Sequence, residues 1–273
     1  MRTNIALSGL VLSLVSYPTA FAQDLAENIG DVCDDICQQT RDTQNPTASI
    51  RGFLLDTTIG FGPDDDNTFY NYQLQPVATV AEAPWGSVIV RGIIPLLGVP
   101  QPTGNGLDDF DTEYGLADTT LQAVYVPPNQ RRFSFGFGPQ ISIETHTEDF
   151  TQSAGWGAGL AGGGFGAYGP LAIGGLVNHL WGEDDYSVST VQPIVFYNFP
   201  ESPIGPFSIG YNGRIIYDWN SEEWTVPVGA IVGKTFVRPT GGSFSANVGA
   251  FHLAESPTGG NDWQLKVTLI SLF

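Results

Sequence analysis

Charge is scarce in this chain. Only 14% of its 273 residues are charged, where soluble domains carry about a quarter. Basic residues are scarcer still, ten against 28 acidic, for a formal net charge of −18. A protein this acidic has no electrostatic reason to seek nucleic-acid phosphate, so no nucleic acid is expected as a partner. The single methionine is the initiator, which excludes a Met-rich binding surface. Two cysteines and three histidines form no cluster with zinc-ligand spacing, so neither a metal nor any other cofactor is expected. Past residue 22 there is no run of about 18 apolar residues, the least that reads as a spanning helix. If the mature chain sits in a membrane, it must do so as a closed barrel, because lipid satisfies no backbone N–H or C=O.

Glycine and aromatics are plentiful instead, with 34 Gly and 12% Phe, Trp and Tyr. Such a composition suits many short strands bordering lipid. The N-terminus reads as a targeting segment. Arg2 supplies a positive start, Ala6 to Val15 an apolar stretch, and Ala20-Phe21-Ala22 a small-x-small cleavage site. Residues 1–22 are therefore read as a signal peptide, removed after Ala22. Residues 23–47 are acidic and lack alternation, and are read as a periplasmic N-terminal arm outside the barrel. Cys33 and Cys37 lie in this arm. Export places them in an oxidising space, which favours a small disulfide loop over free thiols.

From residue 48 the pattern changes to segments of roughly ten residues separated by Gly, Pro, Asn and Asp clusters. Phe133, Phe135, Phe137, Ile141 and Ile143 alternate with Ser134, Gly136, Gly138, Gln140 and Ser142. Phe207, Ile209, Tyr211, Ile215 and Tyr217 alternate with Ser208, Gly210, Asn212, Arg214 and Asp218. Segments around Tyr70–Thr79, Phe244–Ala250 and Trp263–Leu269 repeat the pattern. A period of two puts the apolar and the polar sets on opposite faces. Tyr70, Phe133, Tyr197, Trp219, Trp224 and Trp263 fall at segment ends, where a bilayer places its aromatic girdles. The chain ends on Phe273 at the close of an amphipathic strand, which resembles the signal that outer-membrane proteins present to the barrel assembly machinery.

The expected fold is all-β, a transmembrane antiparallel up-and-down barrel over residues 48–273. It sits in the outer membrane of a Gram-negative type envelope, with bilayer lipid and lipopolysaccharide as neighbours. Twelve strands are read, roughly 49–61, 69–81, 87–96, 116–126, 132–144, 154–162, 170–181, 187–198, 207–218, 224–236, 244–254 and 263–273. The sixth and seventh are Gly-rich and poorly patterned, which leaves ten open. Charge tests the count. With both barrel ends periplasmic, the outer connections hold sixteen acidic residues and no Lys or Arg, among them Asp64, Asp108, Glu148, Asp184, Glu222 and Asp262. The inner turns hold Glu82, Arg131, Arg132, Glu201 and Arg238.

A family resemblance rests on several motifs. In the C-terminal half they are Val191-Gln192-Pro193 through Tyr197-Asn198, Tyr217-Asp218-Trp219, and Trp224-Thr225-Val226-Pro227-Val228-Gly229 through Gly233-Lys234. Upstream are Gln75-Pro76, Arg91 with Pro95, and Gly115 through Thr120. Over about residues 45–273 the chain resembles the transporter-like outer-membrane family labelled "meta-pathway of phenol degradation". The resemblance implies a barrel and passage of small, often aromatic, compounds. The Gly-rich stretch 155–169 has no counterpart in that pattern.

Strand parity gives the expected lumen: Gln73, Gln75, Arg91, Asp118, Thr120, Gln122, Gln140, Glu144, Gln192, Asn198, Arg214, Asp218 and Lys266. Arg91, Arg214 and Lys266 are set against Asp118, Glu144 and Asp218. Such charges either form a selective constriction or pair into a closed polar plug. Lys234 breaks the parity and is expected either at a bulge or snorkelling at an interface. His146, His179 and His252 lie in separate segments without a Ser- or Asp-bearing motif, so the chain is read as not an enzyme. The leading functional reading is a channel or transporter for small-molecule solutes. The alternative is a non-conducting structural or adhesive barrel acting through its acidic outer loops.

Overall fold

The computed structural model describes residues 35–48, 50–62, 68–102, 110–128, 133–199, 202–239 and 241–273. The signal-peptide reading lies outside these residues. So does the disulfide reading, because Cys33 and the side chain of Cys37 are not among them.

Period-two alternation becomes twelve antiparallel strands. They are β1 (Arg51–Phe61), β2 (Thr68–Ala83), β3 (Gly86–Pro102), β4 (Phe110–Leu116 and Thr119–Val126), β5 (Phe133–Ile143), β6 (Gly157–Tyr168), β7 (Leu171–Trp181), β8 (Ser187–Phe199), β9 (Phe207–Tyr211 and Ile215–Asp218), β10 (Glu223–Val237), β11 (Ser243–Glu255) and β12 (Trp263–Leu272). Each pairs with its sequence neighbours, and β1 pairs with β12 from Gly52↔Leu272 to Phe61↔Trp263. The sheet is thus closed and has no free edge. β4 and β9 each count as one strand, because both halves of β4 pair with β3 and both halves of β9 pair with β8 and β10. The Gly-rich stretch left open by the sequence forms a continuous β6–β7 ladder from Ala158↔Trp181 to Tyr168↔Leu171.

The faces follow the chemistry. On β5, Phe133, Phe135, Phe137 and Ile141 are exposed, while Gly136, Gln140 and Ser142 are buried. All six tryptophans are 49–58% exposed. Trp156, Trp181, Trp219, Trp224 and Trp263 ring the end away from the chain termini, and Trp85 marks the other end. This is the inverse of a soluble sandwich, which would bury its aromatics. The apolar belt faces outward, as lipid requires. Glu148, Asp149, Glu183, Asp184, Asp185, Glu222 and Glu255 lie at or between strand ends of that far mouth, and Glu82 and Arg238 at the terminal end.

Two features of the interior depart from the sequence reading. First, the lumen is not uniformly polar. Phe165, Ala172, Ile194, Phe196, Ile231 and Phe251 form a buried cluster on β6–β8, β10 and β11. Tyr211, expected on the lipid side, packs on this cluster, 5.9 Å from Phe251 between ring centroids. It precedes the break in β9 at residues 212–214, which releases it from strict alternation. Second, the arm does not lie wholly outside the barrel. Helix α1 (Asp35–Gln44) packs into the terminal mouth. Gln44 Nε2 donates to Asn198 Oδ1 at 2.9 Å, Thr47 Oγ1 meets Ser134 Oγ, and Arg41 donates to the Gly169 carbonyl. Polar side chains of the arm find partners among the inward polar residues of β5 and β8, which an arm outside the barrel would forgo.

Candidate functional site: a charged lumen between two closures

The lumen holds a cavity of about 410 Å³. Its polar wall begins with Asp56, an acid in mid-strand between Leu55 and Thr57. Inward parity leaves the carboxylate buried, so it must be paired. Arg214 Nη2 donates to Asp56 Oδ2 at 2.8 Å, Lys266 Nζ lies 3.5 Å from the same oxygen, and Thr268 Oγ1 donates to Oδ1 at 3.2 Å. Lys266 and Thr268 come from β12, which neighbours β1. Arg214 comes from β9, four strands away, and so reaches across the lumen. Its other terminal nitrogen donates to Gln73 Oε1 at 2.9 Å. Gln75 Nε2 donates to the same Gln73 oxygen at 2.9 Å, and Arg91 donates through Nη2 to Gln75 Oε1.

Two strand breaks build the rest. In β9, residues 212–214 leave the ladder. The freed Asn212 carbonyl accepts from Gln192 Nε2 at 3.1 Å and Lys266 Nζ at 3.3 Å. Gly213 is needed there, because a Cβ would stand 2.6 Å from the Tyr211 hydroxyl. In β4 the break falls at Ala117-Asp118. Asp118 Oδ1 accepts from the backbone N–H of Thr145 and His146 and pairs with His146 Nδ1 at 2.8 Å. Its Oδ2 accepts from the N–H of Ser153 and Gly155, both at 2.8 Å. One carboxylate therefore gathers residues 144–156 over the far mouth. The hydrogen bond that the His146 ring donates to Asp118 raises the His146 pKa, against partial desolvation and with help from the charges of Asp118, Glu144 and Asp149.

Gln122 and Gln140 are joined by a 2.9 Å hydrogen bond, and Gln140 Nε2 continues to the His179 carbonyl at 3.0 Å. Gly159 lets it pass, since a Cβ there would stand 2.0 Å from that carbonyl oxygen. Gln75, Arg91, Asp118, Gln122, Gln140, Gln192, Arg214 and Lys266 thus all line the cavity. Asp218 does not. It sits at the end of β9 and accepts from the N–H of Asn220 and Ser221. Asp118 lines the cavity, but its oxygens are turned to the loop and not to the cations. Asp56 takes the place expected of both. A signal for it existed, since a lone acid inside a strand of a lipid-facing barrel has only the lumen to face. Lys234 snorkels: its Nζ reaches the Ile204 carbonyl at 2.9 Å and lies over Phe236.

At the opposite ends of the wall, the cavity is bounded by Thr43–Thr47 of the arm and by the loop side, where Ser153 and Tyr186 contribute. Phe273 closes the last strand. Its N–H donates to the Arg51 carbonyl, and its ring is exposed, 5.9 Å from Phe53 between centroids.

The histidines need a correction. His179 Nδ1 stands 2.7 Å from Ser189 Oγ, which also accepts from Trp219 Nε1 at 2.9 Å. A Ser–His contact therefore exists on the outer face, between neighbouring strands and invisible as a linear motif. Its other nitrogen faces Ser187 Oγ at 3.5 Å, where a hydrolase orients its base with a carboxylate or amide.

No protein-family model matches the chain, and no curated protein matches it. Among solved structures, an outer membrane channel from Pseudomonas putida F1 aligns with a TM-score of 0.55 at 10% identity, over 84% of this chain and 98% of that one. The outer membrane phospholipase of Salmonella typhi aligns at 0.37 with 14% identity, over 89% and 98%. Outer membrane phospholipase A of Escherichia coli aligns at 0.38 with 13% identity, over 86% and 96%. The first likeness shows the fold, and with the lipid-facing belt it makes the chain an outer-membrane β-barrel. The phenol label has no match behind it. The expectation of a non-enzyme is withdrawn, because it rested on the histidines lying apart from any serine and His179 meets Ser189; barrels named as phospholipases are among those that align. Likeness at those scores carries nothing about activity in this chain.

Proposed function

We propose that the barrel lets small molecules cross the outer membrane through its lumen. The observation that carries this reading is the cavity itself. It lies between two closures, and neither is part of the barrel wall. Residues 43–47 are held by a few side-chain hydrogen bonds, whereas the wall is held by twelve strand-to-strand ladders and the 144–156 loop is tied to Asp118 and to the backbone of β4. Local openings occur where few buried contacts and few hydrogen bonds must break. The arm can therefore move while the barrel stays folded.

A second reading, a non-conducting barrel acting through its acidic far loops, has its own support. The Asp56 ion pairs span the lumen, and the apolar cluster fills one side of it. Efflux separates the two. Proteoliposomes loaded with small neutral solutes should lose them faster with the protein than without it. Loss at the rate of protein-free vesicles, at verified folded insertion, would leave the non-conducting reading in possession.

A further inference from the structure

The lumen carries more positive charge than its own acids neutralise. Arg214 and Lys266 pair with one carboxylate, Asp56, and Arg91 lines the same cavity, in a protein of net charge −18. Asp118, the other acid on the wall, is spent on the backbone of the loop. Arg214 and Lys266 hold Asp56 directly. Arg91 does not: it reaches Gln75, a neutral amide, through a single nitrogen, and its buried Nε has no hydrogen-bond partner. A guanidinium offers five donors, so Arg91 keeps most of its capacity for a group that enters the cavity. Low-dielectric walls concentrate such a field. Facing this cationic wall, Ile194 and Phe196 bring the edge of the apolar cluster into the same cavity. Its volume, about 410 Å³, lies in the range of small-molecule sites, about 300–1,000 Å³.

We infer that the lumen binds a small carboxylate with an apolar body, its anionic head on Arg91 and its body against Ile194 and Phe196. This rests on the reading of the lumen as a solute path and names the solute class. Carboxylate is favoured over a compact inorganic anion because half of the wall is apolar. The planar fork of arginine matches a carboxylate with two parallel hydrogen bonds.

The test uses the purified full-length mature protein in detergent and titrates three probes, benzoate, benzamide and inorganic phosphate, by calorimetry. Benzoate should bind at least about tenfold more tightly than benzamide, its neutral counterpart, and more tightly than phosphate. Arg91→Gln should weaken benzoate about tenfold and leave benzamide unchanged. Arg91 holds no carboxylate, so this variant keeps the Asp56 pairs and its folding is checked by heat-modifiable mobility. Should it misfold, Arg91→Lys serves instead: it keeps the charge in place, loses the planar fork and should weaken benzoate while leaving benzamide unchanged. Equal binding of benzoate and benzamide, indifference to both substitutions, or phosphate binding as tightly as benzoate would overturn the assignment. Binding in detergent needs no flux. Failure here with solute efflux intact sinks the carboxylate site alone, and binding without efflux sinks the passage reading alone.

Discussion

Asp56 is the residue on which the lumen network turns. It is buried on β1 and takes donors from Arg214, Lys266 and Thr268. Removing one partner of a buried pair costs roughly 3–5 kcal/mol, chiefly by stranding the other charge. Arg214→Ala should cost less than that, since Lys266 remains and the Arg214 side chain is itself 24% exposed. Asp56→Asn in the same protein should recover part of the loss. Urea unfolding of the two single variants and the double variant checks this, and strictly additive losses would mean that Arg214 and Asp56 are not coupled. Parity alone placed Arg214, Arg91 and Lys266 inside, because lipid cannot hold them. It could not choose their partners. Parity sets Arg214 against Asp118, Glu144 and Asp218, whereas its side chain reaches across the lumen to Asp56 and Gln73. Contact across a barrel depends on circumference and tilt, and no local pattern records these.

At the scale of elements, strands were readable and their interruptions were not. The alternation of β5 and β12 showed directly in the sequence. The breaks at Ala117-Asp118 and at residues 212–214 looked like ordinary strand, yet they shape the lumen wall. Each frees backbone or side-chain groups that then organise the lumen or its mouth. The contacts of the arm were not legible for a similar reason: a short polar helix carries no signal for the mouth it meets. The far-mouth loop gives a pH test. His146 has a raised pKa through its hydrogen bond to Asp118. A group raised in the folded state stabilises fully below its unfolded pKa of about 6.5, and that support is lost as pH rises through the folded value. Hydrogen exchange at Thr145, Ser153 and Gly155 should therefore be better protected at pH 5.5 than at pH 9, after correction for intrinsic rates. His146→Ala should erase the difference. A pH-independent protection in the parent would show that the His146–Asp118 pair does not hold the loop.

For the whole molecule, charge and parity together gave the closed barrel, because both are imposed by the bilayer and not by packing detail. Strand number was legible because acidic residues crowd every second connection. The interior was legible only in part, since an apolar cluster such as Phe165, Phe196 and Phe251 looks the same from the sequence whether it faces lipid or lumen. We propose that Phe273 serves as the signal for assembly. Its deletion should lower the folded outer-membrane fraction several-fold, with the remainder in periplasmic aggregates, and an unchanged folded yield would refute this. Passage through the lumen is tested most directly by single-channel recording in planar bilayers, comparing the mature protein with a variant lacking residues 35–47. The expected result is small or intermittent conductance in the parent and larger, steadier steps in the variant, because α1 and residues 43–47 leave the terminal mouth. Background current in both, at equal folded insertion, would contradict passage.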